Sequence, residues 1–316
     1  MKLGLQIPSF TWPGGDAAIA PTLARVVRTA EDIGLDSVWV MDHLFQIRGV
    51  GPAEEPMLEG WTTLGFLAGQ TSRVRLGLMV GGVHYRAPGL WVKAATTLDV
   101  LSGGRAWLGI GAGWNQEESE GLGFPFPPLA ERFELLEDTL RMAHGMWQGE
   151  RGSGGTLDGT HLHATRLLNS PQALSRPRVP IMVGGGGERK TLRLVARYAD
   201  ASNVFGGPAQ IAHKYEVLRE HCREVGRPFE EIERTNLQSV DPVGPGIAAG
   251  DGRAPGHGPS RPETADQIVQ RFGALAEAGA QHVIFSVKGV HDLARLELLG
   301  HDVVPQLHRI DAATPA

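Results

Sequence analysis

The chain has 316 residues, 41% of them hydrophobic and 21% charged, and a net charge of −5. That composition supports a large buried core, argues against wholesale disorder, and leaves no excess of Lys and Arg to act as an electrostatic footprint for nucleic acid or an anionic membrane. A lone cysteine, Cys222, rules out an internal disulfide framework. No apolar run reaches the ~18 residues that span a bilayer, and Met1–Pro8 holds too short an apolar stretch for a signal peptide. A cytoplasmic α/β protein is expected.

Strand-length apolar runs alternate with helical stripes along the chain. Leu3–Pro8 predicts a strand. Leu23, Val26, Val27, Ala30 and Ile33 recur at helical spacing before Gly34. Asp36–Met41 predicts the next strand, 61–70 a helix, 74–80 a strand, 90–101 a helix and 106–110 a strand that ends in glycines. Phe133, Leu136, Leu140, Ala143 and Trp147 form the next stripe. In the second half strands are expected at 180–183, 203–205, 234–240 and 282–287. They alternate with helices at 191–199, 211–225, one over Ile268–Gly279 and one over 292–307. Ser260 and Glu263 are spaced as a capping box for the helix that Gly279 closes.

These eight strand–helix units, short and apolar through most of their length, favour a single-domain (β/α)₈ TIM barrel over residues 1–316. An open doubly wound sheet is the competing fold, but no G-x-G-x-x-G follows the first strand. Two insertions interrupt the rhythm. Residues 149–179 hold a rim hairpin near 160–168, and 241–262 carry six glycines and five prolines in 22 residues. The second follows the seventh strand and is expected as a lid over the catalytic face.

In such a barrel, chemistry sits at the C-terminal strand ends. Asp42 and His43 there supply an acid–base pair, with Asp42 orienting His43 for proton transfer during reduction of C=O, C=N or C=C. Gly184, Gly185, Gly186 and Gly187, followed by Glu188, Arg189 and Lys190, expose backbone N–H groups suited to a phosphate. Gly109, Gly111 and Gly113 alternate along the fourth strand and predict a flat slot for a planar ring. Glu117, Glu118 and Glu120 are expected at a solvated helix start, with Glu117 within reach of the site. His161 and His163 lack further metal-ligand partners by spacing, so no metal site is expected.

The residues also resemble a family. LGLQIP at the start, Ser37–His43, TSRVRLGLMV, VLSGGRAWLGIGAGWNQEE and VGGGGERKTLRLVARYADASN are similar, in order and spacing, to the luciferase-like monooxygenase superfamily. Within it they resemble the oxidoreductase branch that uses the deazaflavin coenzyme F420. The resemblance implies that His43 donates the proton beside the ring, with Asp42 next to it. It also implies that Met79 and Val80 form a bulge that often carries a non-prolyl cis peptide. Gly82, Ala112 and Gly113 match ring or ribityl contacts, and Gly184–Gly187, Glu188 and Arg189 match the phosphate region. One position departs from the pattern: the sugar-phosphate dehydrogenases of this branch have a glutamate where this chain has Trp114. With Trp61, His84, Tyr85 and Asn115 lining the same pocket, a flatter and less charged substrate than a sugar phosphate is expected.

The expectation is therefore an F420-dependent enzyme that reduces a C=C or C=N bond of a small organic substrate in preference to oxidising an alcohol. It would act as a homodimer, with an F420 reductase or flavin reductase supplying the reduced cofactor. An FMN-dependent monooxygenase using O₂ is the first alternative, and a non-catalytic flavin- or deazaflavin-binding protein the second.

Overall fold

Eight parallel strands close on themselves: β1 (Lys2–Ile7), β2 (Ser37–Val40), β3 (Arg75–Leu78), β4 (Ala106–Gly111), β5 (Ile181–Gly184), β6 (Ala201–Phe205), β7 (Glu233–Pro242) and β8 (His282–Val287). The computed structural model describes residues 1–250 and 261–311. Each strand pairs with its neighbours in chain order, and β8 returns to β1 with Lys2 opposite His282 and Gln6 opposite Ser286. This is the (β/α)₈ barrel.

The helices that cover it are α1 (Ile19–Asp32), α2 (Gly60–Ala68), α3 (Pro88–Leu101), α4 (Gln116–Gly121), α5 (Leu129–Met146), α6 (Thr191–Tyr198), α7 (Pro208–Val225) and α8 (Ala265–Glu277). A broken C-terminal helix follows: Leu293–Leu298, a π turn at Leu299–Val303, then Val304–Leu307. In α1 the buried residues Ile19, Leu23, Val26, Val27 and Ala30 form one stripe against the sheet. Pro88 and Pro208 begin α3 and α7, where a missing N–H costs nothing.

Two hydrophobic layers result. The larger lies between strands and helices. The smaller fills the barrel with Trp39, Met79, Trp107, Met182, Ala201, Leu237 and Ile284. Below it, Trp39 Nε1 donates to Ser37 Oγ at 2.7 Å, Ser37 meets His282 Nε2 at 2.9 Å, and His282 Nδ1 meets Glu233 at 2.8 Å. The barrel interior is thus plugged from beneath, and a cavity opens above the strands' C-terminal ends.

Three details differ from the sequence reading. The capping box of α8 is Thr264 with Gln267, not Ser260 with Glu263. Thr-x-x-Gln stands closer to the first buried residue, Ile268, while Glu263 pairs beside β7 and holds Arg271. The rim hairpin joins Leu157–Asp158 to His163–Ala164, starting earlier than expected. β7 continues to Pro242, into the stretch assigned to the second insertion. Much of the proposed lid, 251–260, lies outside the described residues, as does Ser260.

Candidate active site

The upper ends of β1 through β7 surround one cavity of about 760 Å³, within the usual range of ~300–1,000 Å³ for small-molecule sites. Met79, Val80, Phe205 and Leu237 form its floor and also roof the barrel interior. The Met79–Val80 peptide is cis, as the resemblance implied.

Of the residues singled out in the sequence, Asp42, His43, Met79, Val80, Gly82, Tyr85, Ala112, Gly113, Trp114, Gly184, Gly185 and Gly187 line this cavity. Gly186, Glu188, Arg189, Trp61, His84 and Asn115 do not. Glu188 turns outward to His213 at 3.0 Å and Lys214 at 2.6 Å. Trp61 lies on α2, packed against the main core. Asn115 is the N-cap of α4. His84 is buried behind the wall, its Nε2 2.9 Å from Ser119 Oγ.

The glycines of β4 do not make an open slot. A Cβ at Gly109 would sit 1.8 Å from the Leu78 carbonyl oxygen, one at Gly111 3.1 Å from Val80, and one at Gly113 2.4 Å from the His84 ring. They accommodate the bulge after β3 and the His84 imidazole. Gly184 does the same for Val80, 2.7 Å from its would-be Cβ. The missing side chains let Val80 lie across the barrel mouth and form the cavity floor.

β2 delivers Asp42 and His43 as neighbours that point apart. Both Asp42 oxygens accept from Arg86, at 2.6 and 2.7 Å, and Arg86 also holds Glu59 at 2.5 Å. Burial alone would lower the Arg86 pKa, but Asp42 and Glu59 raise it above its ordinary value, while burial raises the Asp42 carboxyl against the pull of Arg86. Asp42 therefore does not orient His43. That role falls to Glu118, which is 0% exposed on α4 and meets His43 Nδ1 at 2.5 Å.

Glu118 also accepts from the Leu44 and Phe45 amides and from the Tyr85 hydroxyl. Burial would raise its carboxyl, yet these donors, His43 foremost, bring it down to about 2. The same contacts, with burial, push the Tyr85 phenol well above its ordinary value. Because an ionised carboxylate only accepts, the His43 proton is assigned to Nδ1 and Nε2 is left towards the cavity. Glu117, expected to reach the site, is instead exposed near Arg48 at 3.5 Å.

Sequence reasoning also missed Arg132. It donates to the Pro127, Ala112 and Gly113 carbonyls and stacks over Phe126 at 4.1 Å, fixing the turn that carries Trp114. On the rim, His161 and His163 pair with Glu134 and Asp158. Among the described residues no group of three or more His, Cys, Asp or Glu could hold a metal, and no helix is long and apolar enough to cross a membrane.

Residues 1–239 match the family model described as luciferase-like monooxygenase, and the chain belongs to that family. It is 32% identical over 221 residues to an F420-dependent glucose-6-phosphate dehydrogenase of Nakamurella multipartita. That alignment covers 67% of this chain but only 60% of the relative. It is also 32% identical over 315 residues to the phthiodiolone/phenolphthiodiolone dimycocerosates ketoreductase of Mycobacterium bovis, covering 91% of this chain and 75% of that protein. The fold is shared with the F420-dependent tetrahydromethanopterin reductase of Methanopyrus kandleri at a TM-score of 0.77 and 17% identity, over 97% of this chain and 99% of that one.

Proposed function

We propose that the protein is an F420-dependent oxidoreductase that reduces a polarised double bond, C=C or C=N before C=O, in a small, largely apolar organic substrate. The observation that carries this reading is His43: its Nδ1 is tied to a buried carboxylate and its Nε2 is left at a cavity with a glycine-rich wall. The printed names of the relatives, a dehydrogenase and a ketoreductase, support hydride chemistry on a carbon–oxygen centre or its analogues.

The residues fit a planar, phosphate-bearing cofactor. Gly81, Gly82, Gly111, Gly113, Gly184, Gly185 and Gly187 line the wall with backbone alone, and at Gly111, Gly113 and Gly184 the place of a side chain is taken by Val80 or His84 packed behind them. The Thr191 hydroxyl stands 2.8 Å from where a Gly187 Cβ would lie, beside the loop suited to a phosphate. When bound, the deazaflavin would supply a hydride and nothing else. The Met79–Gly82 bulge would back its ring, and Gly184, Gly185 and Gly187 with Thr191 would hold its phosphate. His43 would give a proton from Nε2 to the substrate atom that gains negative charge, while its Nδ1 stays on Glu118. Glu118 holds Nδ1 and so keeps the ring in the orientation that makes this transfer direct. Arg86 neutralises Asp42, so no free carboxylate from β2 competes for the proton.

Anaerobic mixing of the protein, reduced F420 and a conjugated ketone or imine tests the reading. Return of the oxidised cofactor's absorbance, lost in His43→Ala, is expected. No reoxidation with any such acceptor, or reoxidation that His43→Ala leaves intact, contradicts it.

A further inference from the structure

Trp114 is 60% exposed, the one aromatic ring among the described residues of the cavity wall that is mostly open to solvent. A large exposed indole is common on loops that move, but this one is carried on a fixed turn. Gly113 has φ 73°, the His84 ring fills the space a Cβ would take there, and Arg132 holds the Gly113 carbonyl. The indole stands edge-on to His43, with ring centroids 5.3 Å apart and planes at 71°. It therefore presents a flat apolar face beside the ring that delivers the proton.

The same cavity is lined by apolar side chains: Ile47 and Val50 from the loop after β2, and Leu129 and Phe133 from α5. The charged side chains on the cavity wall are few: Asp42 is neutralised by Arg86, His43 is held by Glu118, and Arg48 leans out to Glu117.

We infer that Trp114 is the specificity-determining residue of the site, an aromatic platform that selects planar conjugated carbonyl or imine substrates and stacks them within reach of His43. This rests on the reading of the site given above and adds the substrate class. A rigid indole already in place loses little conformational freedom on stacking, and offset or edge-to-face ring pairs add affinity beyond the area they cover. A flexible aliphatic substrate gains less, because it has no ring face to match and more rotors to freeze.

The test is equilibrium binding by calorimetry to the protein loaded with oxidised F420, which has no hydride to give. The probes are 2-acetylnaphthalene and 2-dodecanone, a planar and an acyclic ketone with the same carbon count. In Trp114→Ala the affinity for 2-acetylnaphthalene should fall about tenfold, while that for 2-dodecanone changes by less than about threefold. Trp114→Phe should keep the planar preference to within about threefold of wild type. Equal losses for both ketones, or an unchanged affinity for the planar one, overturn the proposal. If F420 itself does not bind, the functional reading fails. The same two ketones titrated against the protein alone then still decide whether Trp114 is the platform.

Discussion

Glu118 and His43 form a buried carboxylate–imidazole pair across the junction of α4 and β2, with Nδ1 2.5 Å from the carboxylate. The two residues are 75 positions apart, and the glutamate is wrapped by two backbone amides and a tyrosine hydroxyl besides. An anion held by four donors does not move, so neither does the ring it anchors. The neighbouring carboxylate, Asp42, is taken out of the proton-transfer geometry by Arg86.

Glu118→Gln keeps the shape and removes the charge. Turnover should fall by about 10–100-fold, by analogy with loss of a group that orients a functional imidazole. Cofactor affinity should change little. Single-turnover hydride transfer and a cofactor titration check this: an unchanged rate, or equal loss of rate and cofactor affinity, would reduce Glu118 to a packing role.

His43→Ala should lower kcat by about 10²–10⁴-fold, the usual contribution of a positioned general acid, while cofactor affinity stays within a few-fold of wild type. Stopped-flow hydride transfer and a cofactor titration on the same preparation separate the two quantities. Equal loss of both would show that His43 holds the cofactor rather than the proton.

His84 gives a stability prediction with a definite sign. Burial, aided by the Arg132 charge, presses its pKa from the ordinary 6.5 to about 4, and its Nδ1 is buried without a partner. Between those values the unfolded chain binds the proton and the folded one does not. Its contribution to stability is therefore full above pH 6.5 and is lost as pH falls towards 4. Thermal melts from pH 7 to 4 should show a shallower decline in His84→Gln than in wild type. Parallel declines would mean that the imidazole is protonated in the folded state.

Two glycine-to-alanine changes should have opposite signs. Gly109→Ala places a methyl 1.8 Å from the Leu78 carbonyl oxygen, so β3 and its bulge must shift, at a cost of about 1–3 kcal/mol. Because that bulge forms the cavity floor, cofactor affinity should fall with it. Gly65→Ala lies inside α2 with nothing within 4 Å and should stabilise by about 0.5–1 kcal/mol. Denaturant unfolding of both variants reads the pair. A neutral Gly109→Ala would remove the steric reason for glycine at that position.

The barrel was legible because each strand is a short apolar run and each helix a periodic stripe; Lys2–Ile7 and His282–Val287 differ from expectation by a residue at most. His43 was legible because a strand end puts it at the mouth. Glu118 was not. In Gln116–Gly121 five polar or acidic side chains in a row carry no periodicity, and burial of Glu118 among them depends on His43, Leu44, Phe45 and Tyr85 arriving from other elements. Asp42 was misread because sequence adjacency to His43 suggests a contact, whereas successive side chains leaving a strand point apart. Arg86, which claims Asp42, sits 44 residues away. The glycines of β4 signalled missing side chains correctly, but a sequence does not show that Leu78, Val80 and His84 fill the space.

The most direct test of the account is a fluorescence titration of the purified apoprotein with F420 and, separately, with FMN. The account predicts tight, saturable F420 binding and negligible FMN binding. A preference for FMN would contradict it and turn the search to O₂ consumption with a flavin reductase, and binding of neither would remove the cofactor from the glycine-walled cavity altogether.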